Sequence, residues 1–223
     1  MFDTQNLSLA SYFFPCFFAD QDHASHDTER THILTTSLST YVDLDHGDAI
    51  RALFSTVNDA QLLTSAIQHA QYAPLHKAIE KGHIEAFRAM VDYLPLEHLI
   101  AKTPNTEQSL LMRVAHEGQH RMLSWLLSKL FTKFIELHFQ DTHPLQTFDD
   151  ALNEQDADGN TALMLATKAG HEASARVLIS FCPNVFVTNR DGLTVLHLVN
   201  HLPPTHPLAA LIQERYQSQL NRL

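Results

Sequence analysis

Sixteen histidines are the first feature of this 223-residue chain that could do chemistry. Neutral imidazole ligates zinc, and near neutral pH it also serves as a general base. The densest group is His138-Phe139-Gln140-Asp141-Thr142-His143, two imidazoles and a carboxylate in one short run. A structural zinc closes on four ligands, and a catalytic zinc takes three in a defined arrangement. This spacing matches no standard motif, so the run reads as a solvated loop. His23 and His26, within an acidic stretch, read the same way. Were these groups ligands, the chain would be a metal-dependent hydrolase; the reading adopted is that no metal is held.

Nucleophilic chemistry finds no better footing. The sequence has no G-x-S-x-G elbow, no P-loop and no G-x-G-x-x-G. Cys16 and Cys182 lie far apart and beside no histidine motif, which fits two reduced thiols in a reducing compartment. Asp149 and Asp150 are neighbours in sequence, so their carboxylates splay apart instead of converging on a substrate. Ser124 and Ser174 read as solvated positions on outer helices. No catalytic residue and no cofactor is assigned, and the chain is expected not to be an enzyme.

The elements that would position these groups recur. Ala73-Pro74-Leu75-His76-Lys77-Ala78 leads to Gly82-His83, and Thr161-Ala162-Leu163-Met164-Leu165-Ala166 leads to Gly170-His171. Between them Ser109-Leu110-Leu111-Met112-Arg113-Val114-Ala115 leads to Gly118, and Asp191-Gly192-Leu193-Thr194-Val195-Leu196-His197 opens another copy. Thr161 and Thr194 are 33 residues apart, as are Gly159 and Gly192. Thr161 and Thr194 suit helix N-caps, whose hydroxyls satisfy first-turn amides. Pro74 falls just after such a position, where a missing N–H is harmless. Gly82, Gly118 and Gly170 suit left-handed helix ends. Apolar residues then follow at helical spacing: Phe87, Met90, Val91 and Leu94; Met122, Leu123, Leu126 and Leu127; Ala175, Val177, Leu178 and Ile179. A unit this small cannot bury its apolar face alone, so the units must stack.

These residues resemble the ankyrin repeat, whose signature is T-P-L-H-x-A followed by G-H and a second apolar helix. The resemblance spans roughly residues 38–213, with the 109–127 copy degenerate. An earlier copy is read around Leu38 to Phe54, with Gly47 aligned to Gly82 and Ala49 to Phe54 as second helix. The resemblance implies an all-α solenoid of four or five stacked helix pairs. Residues 1–36 would be an N-terminal capping segment and 37–223 the repeat domain. It also implies that His76, His83, His171 and His197 hydrogen-bond backbone.

Two departures break the pattern. The step from Gly118 to Gly170 is 52 residues, so 19 are inserted, at about 128–154. Leu127, Leu130, Phe131, Phe134, Ile135 and His138 continue the outer helix into the insertion; Pro144 then ends it before a short acidic stretch, Asp149-Asp150. In the last copy Pro203-Pro204 replace the Gly-His step and force an extended turn before a final helix from Pro207 to about Leu220. At the other end, Tyr12-Phe13-Phe14-Pro15-Cys16-Phe17-Phe18 needs cover, and reads as a cap on the first repeat.

Charge bounds the partner. The net charge is −10, with −7 in residues 1–60 and −3 in 128–154, while the remaining segments balance. Such a surface repels nucleic acid and anionic membranes and favours a basic protein. No apolar run reaches the roughly 18 residues of a membrane span. Leu7 to Ala19 has the length of a signal-peptide core but lacks a basic flank and carries Pro15, so a cytoplasmic monomer is expected. The resemblance implies a binding face of loop tips, Asn105 to Gln108, Gln155 to Asn160 and Asn189 to Leu193, beside exposed inner-helix positions. Its expected contact residues are Lys77, Glu80, Lys81, Arg113, His116, Glu117, Asp158, Asn160, Lys168, Arg190 and Asp191, with Asp149 and Asp150 adding charge. The implied function is a non-catalytic protein-binding module. It would be an inhibitor or immunity protein masking a basic toxin or enzyme, or else a bacterial effector or scaffold gripping a host protein.

Overall fold

A computed structural model describes residues 25–57, 74–103, 106–139, 147–200 and 206–221. These residues form helices and turns; the sole bridge among them is the antiparallel pair Lys102–Ser109. No described helix is long and apolar enough to cross a membrane. The chain divides into two compact units, Met1–Leu94 and Pro95–Leu223.

In the first unit the described helices are α1 (Ser25–Asp43), α2 (Gly47–Thr56), α3 (Pro74–Lys81) and α4 (Ile84–Tyr93). Helix α1 packs on α3, and α2 packs on α4, so two helix pairs lie one on the other. Leu34, Leu38, Ile50, Phe54, Ala78, Ile79, Phe87 and Met90 fill the space between them. Each large apolar side chain removed from water there contributes roughly 1.5–3 kcal/mol.

The earliest repeat is present, in a register two residues from the expected one. The left-handed position is held by Asp45 (φ 51°), not by Gly47, and His46 follows it as His83 follows Gly82. Asp45 N donates to Val42 O and His46 N to Tyr41 O, the pattern that Gly82 and His83 repeat on Ile79 and Ala78. Aspartate is among the few residues with a side chain that visit this conformation readily. Its carboxylate also accepts from Ala86 N at 2.9 Å. Gly47 is small for another reason: a Cβ there would lie 2.6 Å from Glu85 O. The boundary expected at residue 36 falls inside α1, a single continuous helix from Ser25 to Asp43.

The second unit holds α5 (Leu96–Ile100), α6 (Leu110–His116), α7 (His120–Phe139), α8 (Phe148–Leu152), α9 (Ala162–Lys168), α10 (Glu172–Ser180), α11 (Val195–Val199) and α12 (Pro207–Leu220). Helices α6, α9 and α11 pack in series as an inner row, with α7, α10 and α12 behind them. Helices of five to seven residues are not stable alone, and their caps and neighbours hold them. Ser109 Oγ accepts from Met112 N and Thr161 Oγ1 from Met164 N. Thr194 and His197 close a reciprocal capping box on α11. Gly118 and Gly170 take the left-handed conformation (φ 73° and 76°).

The insertion differs from its expected form at its end. Helix α7 runs unbroken through Phe139, as the apolar stripe implies. The acidic stretch, however, is the short helix α8. Thr147 caps it, accepting from Asp150 N, while the Asp150 carboxylate accepts from Thr147 N and Oγ1. Ser174 is also not solvated: it is 0% exposed, and its hydroxyl has no hydrogen-bond partner among the described residues. It lies in the same buried stripe of α10 as Ala175, Leu178 and Ile179.

Candidate binding surface

Two five-residue loops build the tips of the second unit, and each is tied by an Asx turn. Asp156 Oδ1 accepts from Asp158 N and Asn160 N at 3.0 and 2.8 Å. Asn189 Oδ1 accepts from Asp191 N and Leu193 N at 3.1 and 2.9 Å. In both, a backbone pair joins the ends: Asp156 N to Asn160 O, and Asn189 N to Leu193 O. A side-chain oxygen that collects two amides fixes the turn without help from regular structure.

The tips are then laced to each other. Arg190 N donates to Asp158 O at 3.0 Å, and Ala157 N donates to Thr106 O at 3.1 Å. Beneath them Asn160 Oδ1 accepts from Lys168 Nζ (2.8 Å) and from Asn189 Nδ2 (3.2 Å). Gln155 Nε2 reaches Thr188 O, and Lys102 Nζ reaches Gln155 O, both at 2.8 Å. Backbone groups that would otherwise need water are thus paired, and the side chains of Asp158, Arg190 and Asp191 remain exposed. A rigid array of exposed charge loses little freedom on binding, which is what a docking surface needs.

Residues 111–200 match the family model for ankyrin repeats in three copies. A chain in the crystal structure of the yeast ribosomal protein Rps3 in complex with its chaperone Yar1 is similar at 16% identity and a TM-score of 0.49. That match covers 67% of this chain and 90% of that chain. No curated protein matches the sequence.

The inner helices sort the remaining expected contacts. Arg113, His116 and Glu117 sit together at the end of α6. Glu117 Oε1 lies 3.8 Å from Arg113 Nε and 3.4 Å from His116 Nδ1. Lys168, on α9, is exposed although its ammonium meets Asn160. Asn160 itself must be withdrawn as a contact. It is 2% exposed, and its amide braces the two tips from below. In the first unit Lys77 and Lys81 both turn to Asp43 at 2.7 Å, and Lys77 also donates to Ser39 Oγ. Hydrogen bonds from Lys77 and then Lys81 hold the Asp43 carboxyl below the usual carboxylate range. The two cations therefore serve the packing of α1 on α3 as well as the surface. Glu80 is exposed beside them.

In the insertion Asp149 and Asp150 are exposed. The Thr147 backbone amide, with its hydroxyl second, lowers the Asp150 pKa. The expected histidine roles hold where the contacts are seen. His83 Nδ1–H donates to Val42 O, and His197 Nδ1 accepts from Thr194 N. Among the described residues no three His, Cys, Asp or Glu come together as a metal site. Asp141, His143 and His23, the Tyr12 to Phe18 cluster, Cys16, Asn105 and the Pro203-Pro204 turn lie outside the described residues, as do the side chains of His26 and His138. Cys182 is a free, exposed thiol.

Proposed function

We propose that the chain is a non-catalytic protein-binding module whose partner docks on the laced tips and inner helices of residues 106–193. The observation that carries this reading is the backbone link from Arg190 N to Asp158 O. It sets consecutive tips side by side and turns Asp158, Arg190 and Asp191 outward as one surface. The partner is a basic protein, because residues 1–60 carry −7 and residues 128–154 carry −3, while the segments between and after them balance. Acid of one sign raises the encounter rate with a basic surface more than it raises affinity. In this reading the chain is a cytoplasmic monomer that masks a basic toxin or enzyme.

The test is capture of the partner from native lysate, its identification by mass spectrometry, and stopped-flow association at several salt concentrations. The on-rate should fall on the order of tenfold or more from low to above-physiological salt, with a smaller change in off-rate. A partner that is acidic, or an on-rate indifferent to salt, would reject a basic partner.

A further inference from the structure

Helix α7 has 20 residues against 9 in α10, so its second half runs past the repeat stack. That extension carries an apolar face turned to solvent: Phe131 is 47% and Ile135 39% exposed. The two are one helical turn apart and on one side of the helix. Phe148 of α8 abuts Phe131, its ring 5.3 Å away at 77°. Phe148 is held in turn by Phe134 and Phe181, at 6.2 and 6.0 Å. Single exposed apolar residues need no explanation, but an ordered aromatic ridge on an extension outside the repeats does.

Among the described residues, the charge that the ridge meets on α8 is acidic: Asp149 and Asp150, next in the chain to Phe148, are exposed. The cations of the extension face elsewhere. At about 100° per residue, Lys129 and Lys133 fall roughly 160° around the helix from Phe131 and Ile135 respectively. Lys129 also sits over the Trp125 ring, 5.8 Å from its centre.

We propose that the Phe131–Ile135 face docks a basic amphipathic helix of a partner protein. Leucine-like anchors would seat along the i, i+4 ridge, and flanking lysine or arginine would meet Asp149 and Asp150. An anionic membrane is disfavoured by the same acids. The site lies outside the tips and inner helices, so it stands or falls separately from binding there.

Two labelled synthetic helices test it on the full chain by fluorescence anisotropy. Both carry one leucine stripe at i, i+3, i+4 and i+7, with lysine on the polar face in one and glutamate in the other. The lysine peptide should bind at least about tenfold more tightly than the glutamate peptide. Phe131→Ala with Ile135→Ala should weaken it about tenfold or more, at unchanged helicity. Asp149→Asn should weaken it about threefold or more and flatten its salt dependence, leaving the fold intact. Asp158→Ala with Asp191→Ala should leave it unchanged, which separates this face from the tips. Equal binding of the two peptides, or affinity indifferent to the Phe131 and Ile135 changes, would overturn the proposal. So would a concentration-dependent dimer in sedimentation that Phe131→Asp abolishes, since a second copy would then be the occupant.

Discussion

The imidazole of His171 closes over Gly118, so that a Cβ at Gly118 would fall 2.5 Å from its Nδ1. Gly118 ends α6 and His171 opens α10, one repeat later. The contact therefore couples the register of one unit to the helix start of the next. Gly170, the equivalent glycine one repeat on, has the same backbone conformation, but a Cβ there would meet no described atom within 4 Å.

That pair makes an internal control. Gly170→Ala should lose about 1–2 kcal/mol through left-handed strain alone. Gly118→Ala should lose more, by roughly a further 1–3 kcal/mol of overpacking. Chemical denaturation of both variants reads the difference. Equal losses would mean that the His171 contact does not constrain the stack.

Ser174 offers the opposite sign. Its hydroxyl is buried without a partner among the described residues, so Ser174→Ala should leave stability unchanged or raise it by up to about 1 kcal/mol. Thr161→Ala, which deletes the cap on α9, should cost about 1 kcal/mol in the same assay. A clear loss in the serine variant would reveal a bond that the packing hides.

Acid should act through Asp43. Its folded pKa is depressed by Lys77 and Lys81, so its contribution is complete above the unfolded carboxylate pKa, near 4, and fades as pH falls through the lower folded value. Its side chain is more than a third exposed, so the contribution is small and screened by salt. Asp43→Asn should thus destabilise slightly at pH 7 and converge on the parent once the pH falls below the lowered folded pKa. A gap that widens in acid would contradict the pairing.

Why some of this is legible in the sequence and some is not follows from particular residues. Caps and helix ends are local chemistry, so Thr161, Thr194, Gly118 and Gly170 announce their places without tertiary information. Asp45 hides because it substitutes for glycine at the left-handed position, while Gly47 stands nearby for a different reason, the approach of the Glu85 backbone. The α8 helix is signalled by Thr147-x-x-Asp150, a capping pattern that adjacent acids disguise as solvated loop. Asn160 resembles a tip contact because it sits in the tip sequence; only its burial, with Lys168 and Asn189 on its amide, shows that it braces the loop. Ser174 is small and polar, and sequence cannot say whether such a residue faces water or a neighbouring helix. The exposed contacts are the least legible, since nothing local distinguishes a binding side chain from a solvating one.

Asn160→Ala should expose the difference between bracing and contact. Losing one acceptor for Lys168 and Asn189 should destabilise by about 1–3 kcal/mol and loosen both tips. Hydrogen exchange at Arg190 N and Asp191 N reports it, and unchanged protection there would deny the bracing role.

Binding through the laced tips is tested most directly by the affinity of the captured partner for Asp158→Ala/Arg190→Ala/Asp191→Ala. All three side chains are exposed, so the triple variant should melt with the parent. With the partner docked on the tips, the triple variant should bind at least about tenfold more weakly. Unchanged affinity in a variant of unchanged stability would place the binding surface elsewhere on the molecule.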